Sequence, residues 1–198
     1  MNKASYLAAS VVAVALPAGP TAASEPVVFY NNHTNMCLQP MKGWTAPGTA
    51  IVLEPCNPGV NAAQRWLQIP VGGGSHYQNA LTRLCLDARG KAVDKTPVQQ
   101  WTCNKISNEI WEPLAYPSGP FAPKGPGVQL VSRVSGSSSH CLDIPGGAAT
   151  AGLKMQIYAC NGTISQEWEI EVVGSCISNP INAGCDQAPS EASKNGKD

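Results

Sequence analysis

Three stretches of this 198-residue chain follow one formula: Cys-Leu-Xaa, a gap, a second Cys, then a closing Xaa-Xaa-Trp. They read Cys37-Leu38-Gln39 … Cys56 … Gln64-Arg65-Trp66, then Cys85-Leu86-Asp87 … Cys103 … Glu109-Ile110-Trp111, then Cys141-Leu142-Asp143 … Cys160 … Gln166-Glu167-Trp168. The cysteine steps are 19, 18 and 19 residues. A unit this short cannot bury an apolar face alone, so the copies must stack around one shared core.

Each copy divides into four short runs of strand character. The first holds 27–30, 36–39, 50–54 and 64–69; the second 76–79, 84–88, 98–102 and 109–114; the third 128–133, 141–144, 155–159 and 167–172. Gly/Pro/Ser/Asn clusters such as Val71-Gly72-Gly73-Gly74-Ser75 separate them. Twelve strands in three copies predict an all-β closed body with pseudo-threefold symmetry, because closure removes exposed sheet edges. Trp66, Trp111 and Trp168 are its natural core anchors.

The flanks read differently. Residues 1–23 have a secretory pattern: Lys3, an apolar run over 6–18, and small residues at Thr21-Ala22-Ala23. That run is too short to span a bilayer. Eight cysteines in an exported chain argue for disulfides. Repeat symmetry pairs Cys37 with Cys56, Cys85 with Cys103 and Cys141 with Cys160, leaving Cys176 and Cys185 for each other. Zinc is disfavoured, since no Cys-x-x-Cys occurs and His33, His76 and His140 stand singly; no cofactor is expected. Residues 116–127, with four prolines and three glycines, read as a surface insertion, and 174–198 as a tail. Thirteen basic and thirteen acidic residues, with no charge run, give no pull toward nucleic acid or anionic membrane.

The second repeat carries a distinctive set of side chains. Asp87 shares a strand face with Cys85, and Gln99, Trp101 and Cys103 share another by alternation. A Cys85–Cys103 bond brings those faces together, with Asn108 and Glu109 close behind. The product is a shallow pocket with an aromatic plate, a carboxylate and two amides. That set suits a pyranose: the indole covers the apolar C–H face. The carboxylate accepts from hydroxyls, and the amides donate or accept.

The three units resemble the ricin-type β-trefoil lectin family, also known as carbohydrate-binding module family 13. The shared signs are Cys-Leu-Asp, Gln-x-aromatic-x-Cys and Gln-x-Trp, over roughly residues 27–173. The resemblance implies a β-trefoil domain over 24–173, with repeats at about 27–70, 75–115 and 127–173. It implies that Asp, Gln, aromatic and Asn contact a galactose-like sugar, while the Gln of Gln-x-Trp helps hold the Asp. The second repeat keeps Asp87, Gln99, Trp101 and Asn108, but has Glu109 in place of that Gln. Facing carboxylates should repel, raising one pKa. The third keeps Asp143, Gln156, Tyr158 and Gln166, with Ser165 in the Asn slot. The first has Gln39, Val52, Glu54 and Ala63 in the ligand slots and reads as structural only.

The chain is expected to be a secreted lectin for galactose- or N-acetylgalactosamine-containing glycans, or a glycan-binding delivery or adhesion subunit of a larger assembly with a partner protein. No catalytic signature appears. Asp87 and Glu109 imitate the close acid pair of a retaining glycosidase, but a shallow pocket neither excludes water nor distorts a ring.

Overall fold

In the computed structural model, which describes residues 25–31, 33–116 and 127–173, all twelve expected strands are present. The leader at 1–23, nearly all of the proline-rich insertion, Cys176, Cys185 and the tail lie outside the described residues. The first repeat holds β1 (Pro26–Asn31), β2 (Met36–Pro40), β3 (Ile51–Pro55) and β4 (Trp66–Val71). The second holds β5 (Gly74–Asn79), β6 (Cys85–Ala88), β7 (Thr96–Trp101) and β8 (Trp111–Ala115). The third holds β9 (Val128–Ser132), β10 (His140–Asp143), β11 (Gln156–Ala159) and β12 (Glu169–Val172).

Six of these strands close on themselves. β1 pairs with β4, β4 with β5, β5 with β8 and β8 with β9. A bridge from Val128 to Trp168 joins β9 to the start of β12, and β12 pairs back with β1. The other six form three hairpins, β2–β3, β6–β7 and β10–β11. The hairpins touch one another in a triangle, through Ala50 and Gln99, Gln156 and Pro97, and Val52 and Lys154. A closed six-stranded barrel with three hairpins in pseudo-threefold array is a β-trefoil.

The repeat formula has a direct physical meaning. Each closing Trp is fully buried, and its indole N–H donates to the carbonyl of the Leu in Cys-Leu-Xaa. The distances are 3.3 Å from Trp66 to Leu38, 2.9 Å from Trp111 to Leu86 and 3.1 Å from Trp168 to Leu142. A buried indole needs such a partner, and here the bond ties each hairpin to its barrel strand. Phe29, Tyr77, Leu130 and the three tryptophans belong to one continuous core. Gly74 serves the same closure, since a Cβ there would lie 2.5 Å from the Trp111 carbonyl oxygen where β5 meets β8.

The disulfides join Cys37 to Cys56, Cys85 to Cys103 and Cys141 to Cys160, as repeat symmetry predicts. Each closes a hairpin-sized loop, worth about 3 kcal/mol in the chain-entropy picture.

One expectation needs adjustment. Gln64 and Glu109 do not open the fourth strands; with Gln166 they end short 3-10 turns at Ala62–Gln64, Ser107–Glu109 and Ile164–Gln166. The turn swings each side chain into the interior, where all three are fully buried. Each accepts the backbone N–H of the residue after the second cysteine: Asn57 at 2.7 Å, Asn104 at 2.9 Å and Asn161 at 2.9 Å. Buried backbone donors must be paired, and this slot supplies the acceptor in every repeat.

Candidate functional site

The register of each hairpin places the expected side chains. In β6–β7, Asp87 stands opposite Gln99 and Cys85 opposite Trp101. In β10–β11, Asp143 stands opposite Gln156 and Cys141 opposite Tyr158. Alternation puts acid, amide and ring on one face of each hairpin.

In the second repeat, Gln99 donates to Asp87 Oδ1 at 2.8 Å. Oδ2 takes no hydrogen bond from the described residues, so it is free to accept from a ligand. Trp101 is 40% exposed, unusual for an indole and consistent with a plate awaiting a partner. Asn108 donates to the carbonyls of Ala88 at 3.1 Å and Gly90 at 3.4 Å. Its N–H groups hold the end of β6, and its carbonyl oxygen is the part left for a hydroxyl.

Glu109 stands behind this pair, fully buried. Its carboxylate accepts from the N–H groups of Asn104 and Lys105, each at 2.9 Å. The His76 ring lies 3.4 Å away, itself buried. Burial pushes the Asp87 carboxyl up to about 6; Glu109 adds to this, and the Gln99 hydrogen bond opposes it. Carboxylate repulsion, the cause expected from the sequence, is the smaller contribution. The structure makes desolvation the larger cause, because Asp87 is itself buried.

In the third repeat, Gln156 donates to Asp143 Oδ1 at 2.7 Å and Gln166 to Oδ2 at 3.2 Å. Gln166 also donates to the Ala159 carbonyl at 3.0 Å. Asp143 is raised by burial; the two amide hydrogen bonds oppose this, and Asp94 adds to it. Asp143, Gln156, half-buried Tyr158 and Ser165 line a cavity of about 520 Å³. Ser165 packs against the turn after β10, where a Cβ on Gly147 would meet its Oγ at 3.1 Å.

The first repeat lacks this constellation. Gln39 stands opposite buried Val52, and its Oε1 is taken by Gln64 at 3.1 Å and Asn61 at 2.8 Å. No exposed aromatic occupies the Glu54 position.

Two neighbours escaped the sequence reading. His76 sits in the β5 position matched by Gln129 of β9, which donates to Gln166 Oε1 at 3.3 Å. Lys95, from the second repeat, lines the cavity of the third. Aligning the repeats strand by strand exposes the first; the second depends on contact between the β6–β7 and β10–β11 hairpins. A metal has no home in the second repeat's interior. His76, Cys85 and Glu109 approach within 4.8 Å, but the Cys85 sulfur is bonded to Cys103 and offers no thiolate.

The fold and the repeated acid–amide–aromatic face define an all-β trefoil with the layout of a sugar-binding protein. The model of the ricin-type beta-trefoil lectin domain matches residues 25–117, the first two repeats. The third repeat continues the same fold beyond the matched residues, through β9 to β12. No curated protein matches the sequence significantly. Among solved structures, it is similar to the designed threefold-symmetric protein ThreeFoil, at 18% identity and TM-score 0.64, covering 73% of this chain and 96% of that one. It is similar to the ricin B-like lectin of Macrolepiota procera, solved in complex with lactose, at 16% identity and TM-score 0.59, covering 76% and 98%. It is also similar to an exo-β-1,3-galactanase from Clostridium thermocellum, at 20% identity and TM-score 0.65, covering 78% of this chain but 31% of that one.

Proposed function

We propose that this protein is a secreted lectin that binds galactose-like sugars at shallow sites in its second and third repeats, without catalysing their hydrolysis. The observation that carries this reading is the recurrence of one arrangement in two repeats and its loss in the first. An acid and an amide face each other across a hairpin, beside an aromatic ring that solvent can reach. In the second repeat the contacts are Asp87, Gln99, Trp101 and Asn108, with Glu109 behind. In the third they are Asp143, Gln156, Tyr158 and Ser165, with Gln166 holding the acid. The lactose complex of the Macrolepiota lectin supports a galactose-type ligand. Three disulfides and the leader-like start support export.

Each open site should bind in the millimolar range, about −4 kcal/mol. Two on one rigid body gain by engaging a crowded glycan surface. A glycan array run on wild type, Asp87→Ala and Asp143→Ala tests the reading. Each variant should lose part of the galactose-type signal; an unchanged array for both would reject it. A second reading, a glycan-binding subunit within a larger assembly, is favoured by the galactanase, of which this chain matches only a part. Size-exclusion of the protein from its native secretion separates the two, since a lone species of monomer mass argues against a partner.

A further inference from the structure

The loops that precede β3, β7 and β11 lean on the next repeat in the same way. Gly48 donates its backbone N–H to the Gln100 carbonyl at 2.8 Å, Lys95 to Ile157 at 2.9 Å and Gly152 to Leu53 at 2.8 Å. All three residues have positive φ: +85° at Gly48, +67° at Lys95 and +79° at Gly152. Two of the three are glycine, the residue this backbone favours. Lys95 is the exception, and a side chain there costs stability that glycine would not.

The position is aimed at a site. A Cβ built on Gly48 would lie 3.5 Å from the Trp101 ring, the plate of the second-repeat pocket. Lys95 occupies the matching place beside the third, and lines the cavity that holds Asp143, Gln156 and Tyr158. Its ammonium is exposed and makes no ion pair among the described residues. The acids around it are engaged: Asp143 by Gln156 and Gln166, and Asp94 by His140 at 3.3 Å and the Ala159 N–H at 2.8 Å.

We propose that Lys95 is a specificity-determining residue contributed across the repeat boundary, which makes the third-repeat site select sugars bearing an anionic group, a carboxylate or a sulfate. The second site, with Gly48 in that place, takes neutral sugars. The proposal rests on the sugar-binding reading of the third site and deepens it. An uncommitted ammonium beside an open cavity attracts an anion more than a hydroxyl, and by an amount that salt screens.

The test uses Trp101→Ala, an exposed position, to silence the second site, and titrates galactose, galacturonate and galactose 6-sulfate at low and high salt. The anionic sugars should bind about two- to fivefold tighter than galactose at low salt, as an exposed ion pair allows, with the advantage shrinking at high salt. Whichever anion gains more names the substituent. Adding Lys95→Gly, which copies the other two repeats and suits the backbone, should bring the anionic-to-neutral ratio to about one. A ratio already near one in the presence of Lys95, or one unmoved by Lys95→Gly, overturns the proposal while galactose binding upholds the lectin reading. No binding of any of the three sugars removes the sugar reading of this site and the proposal with it.

Discussion

The second and third repeats set an acid, an amide and an aromatic in the same register, yet hold the acid differently. Asp143 has amide donors on both oxygens, from Gln156 and Gln166. Asp87 has one, from Gln99, because Glu109 can only accept when ionised. One atom in the side chain of residue 109, oxygen for nitrogen, leaves the second acid with a vacant oxygen and a second carboxyl behind it. The neighbour changes in step: Gln129 faces Gln166, whereas His76 faces Glu109. Two hairpins of matching register thereby hold their acids in different hydrogen-bond settings.

The largest way to break this comparison is to delete the acids. Asp87→Ala and Asp143→Ala should each abolish sugar binding in their own repeat, a loss of about 100-fold as two charge-assisted hydrogen bonds imply. The other repeat should be left intact. Calorimetric stoichiometry should drop from two sites to one in each variant, and a drop to zero in either would mean that the sites are not independent.

Acid comes next. Asp87 titrates at about 6, so at pH 5 only about a tenth of it is ionised and able to accept from two hydroxyls. Second-site affinity should fall about tenfold between pH 7 and pH 5. The third site, whose acid has two amide donors opposing the upward shift, should hold its affinity to lower pH. Titrations read at the Trp101 indole and at Tyr158 separate the two profiles, and coincident profiles would contradict the account.

The same shift bears on stability. The folded Asp87 pKa is raised above the unfolded value, so the folded state holds the extra proton. Stability therefore falls as pH rises from about 4 through about 6, and the deficit is complete above that. Asp87→Asn, which keeps an acceptor for Gln99, should be more stable than wild type by about 1 kcal/mol at pH 8 and equal to it at pH 4. Thermal melts at the two pH values check the sign.

The finest test converts one repeat into the other. His76→Gln with Glu109→Gln recreates the Gln129–Gln166 pair and supplies Asp87 with its missing donor. The midpoint of second-site binding should move down by less than about one pH unit, since Glu109 is the smaller of the two upward causes. A profile unchanged from wild type would show that burial alone sets it.

Much of this was legible in the chain itself. Three Cys-Leu-Xaa and three Xaa-Xaa-Trp marks are the two ends of one hydrogen bond, Leu carbonyl to indole, so the formula encoded how each hairpin docks. Strand alternation set Asp87 beside Cys85 on one face and Gln99 and Trp101 beside Cys103 on another, and the Cys85–Cys103 bond joins the two. What alternation could not supply is contact between elements far apart in sequence. Lys95 reaches the third site because β7 abuts β11, and His76 reaches Glu109 because β5 passes behind the turn at Ser107–Glu109. The turn itself was hidden because Gln64, Glu109 and Gln166 are polar residues directed inward, to satisfy the N–H after Cys56, Cys103 or Cys160.

The most direct measurement is a lactose titration followed by amide and indole NMR shifts at pH 7.5. Shifts should appear at the Trp101 indole N–H and at the amides around Gln99 and Asp87, and separately around Tyr158 and Asp143. The amides of Gln39, Val52 and Glu54 should stay still. A response centred on the first repeat, or none at either hairpin under saturating sugar, would contradict the reading of these two faces as sugar sites.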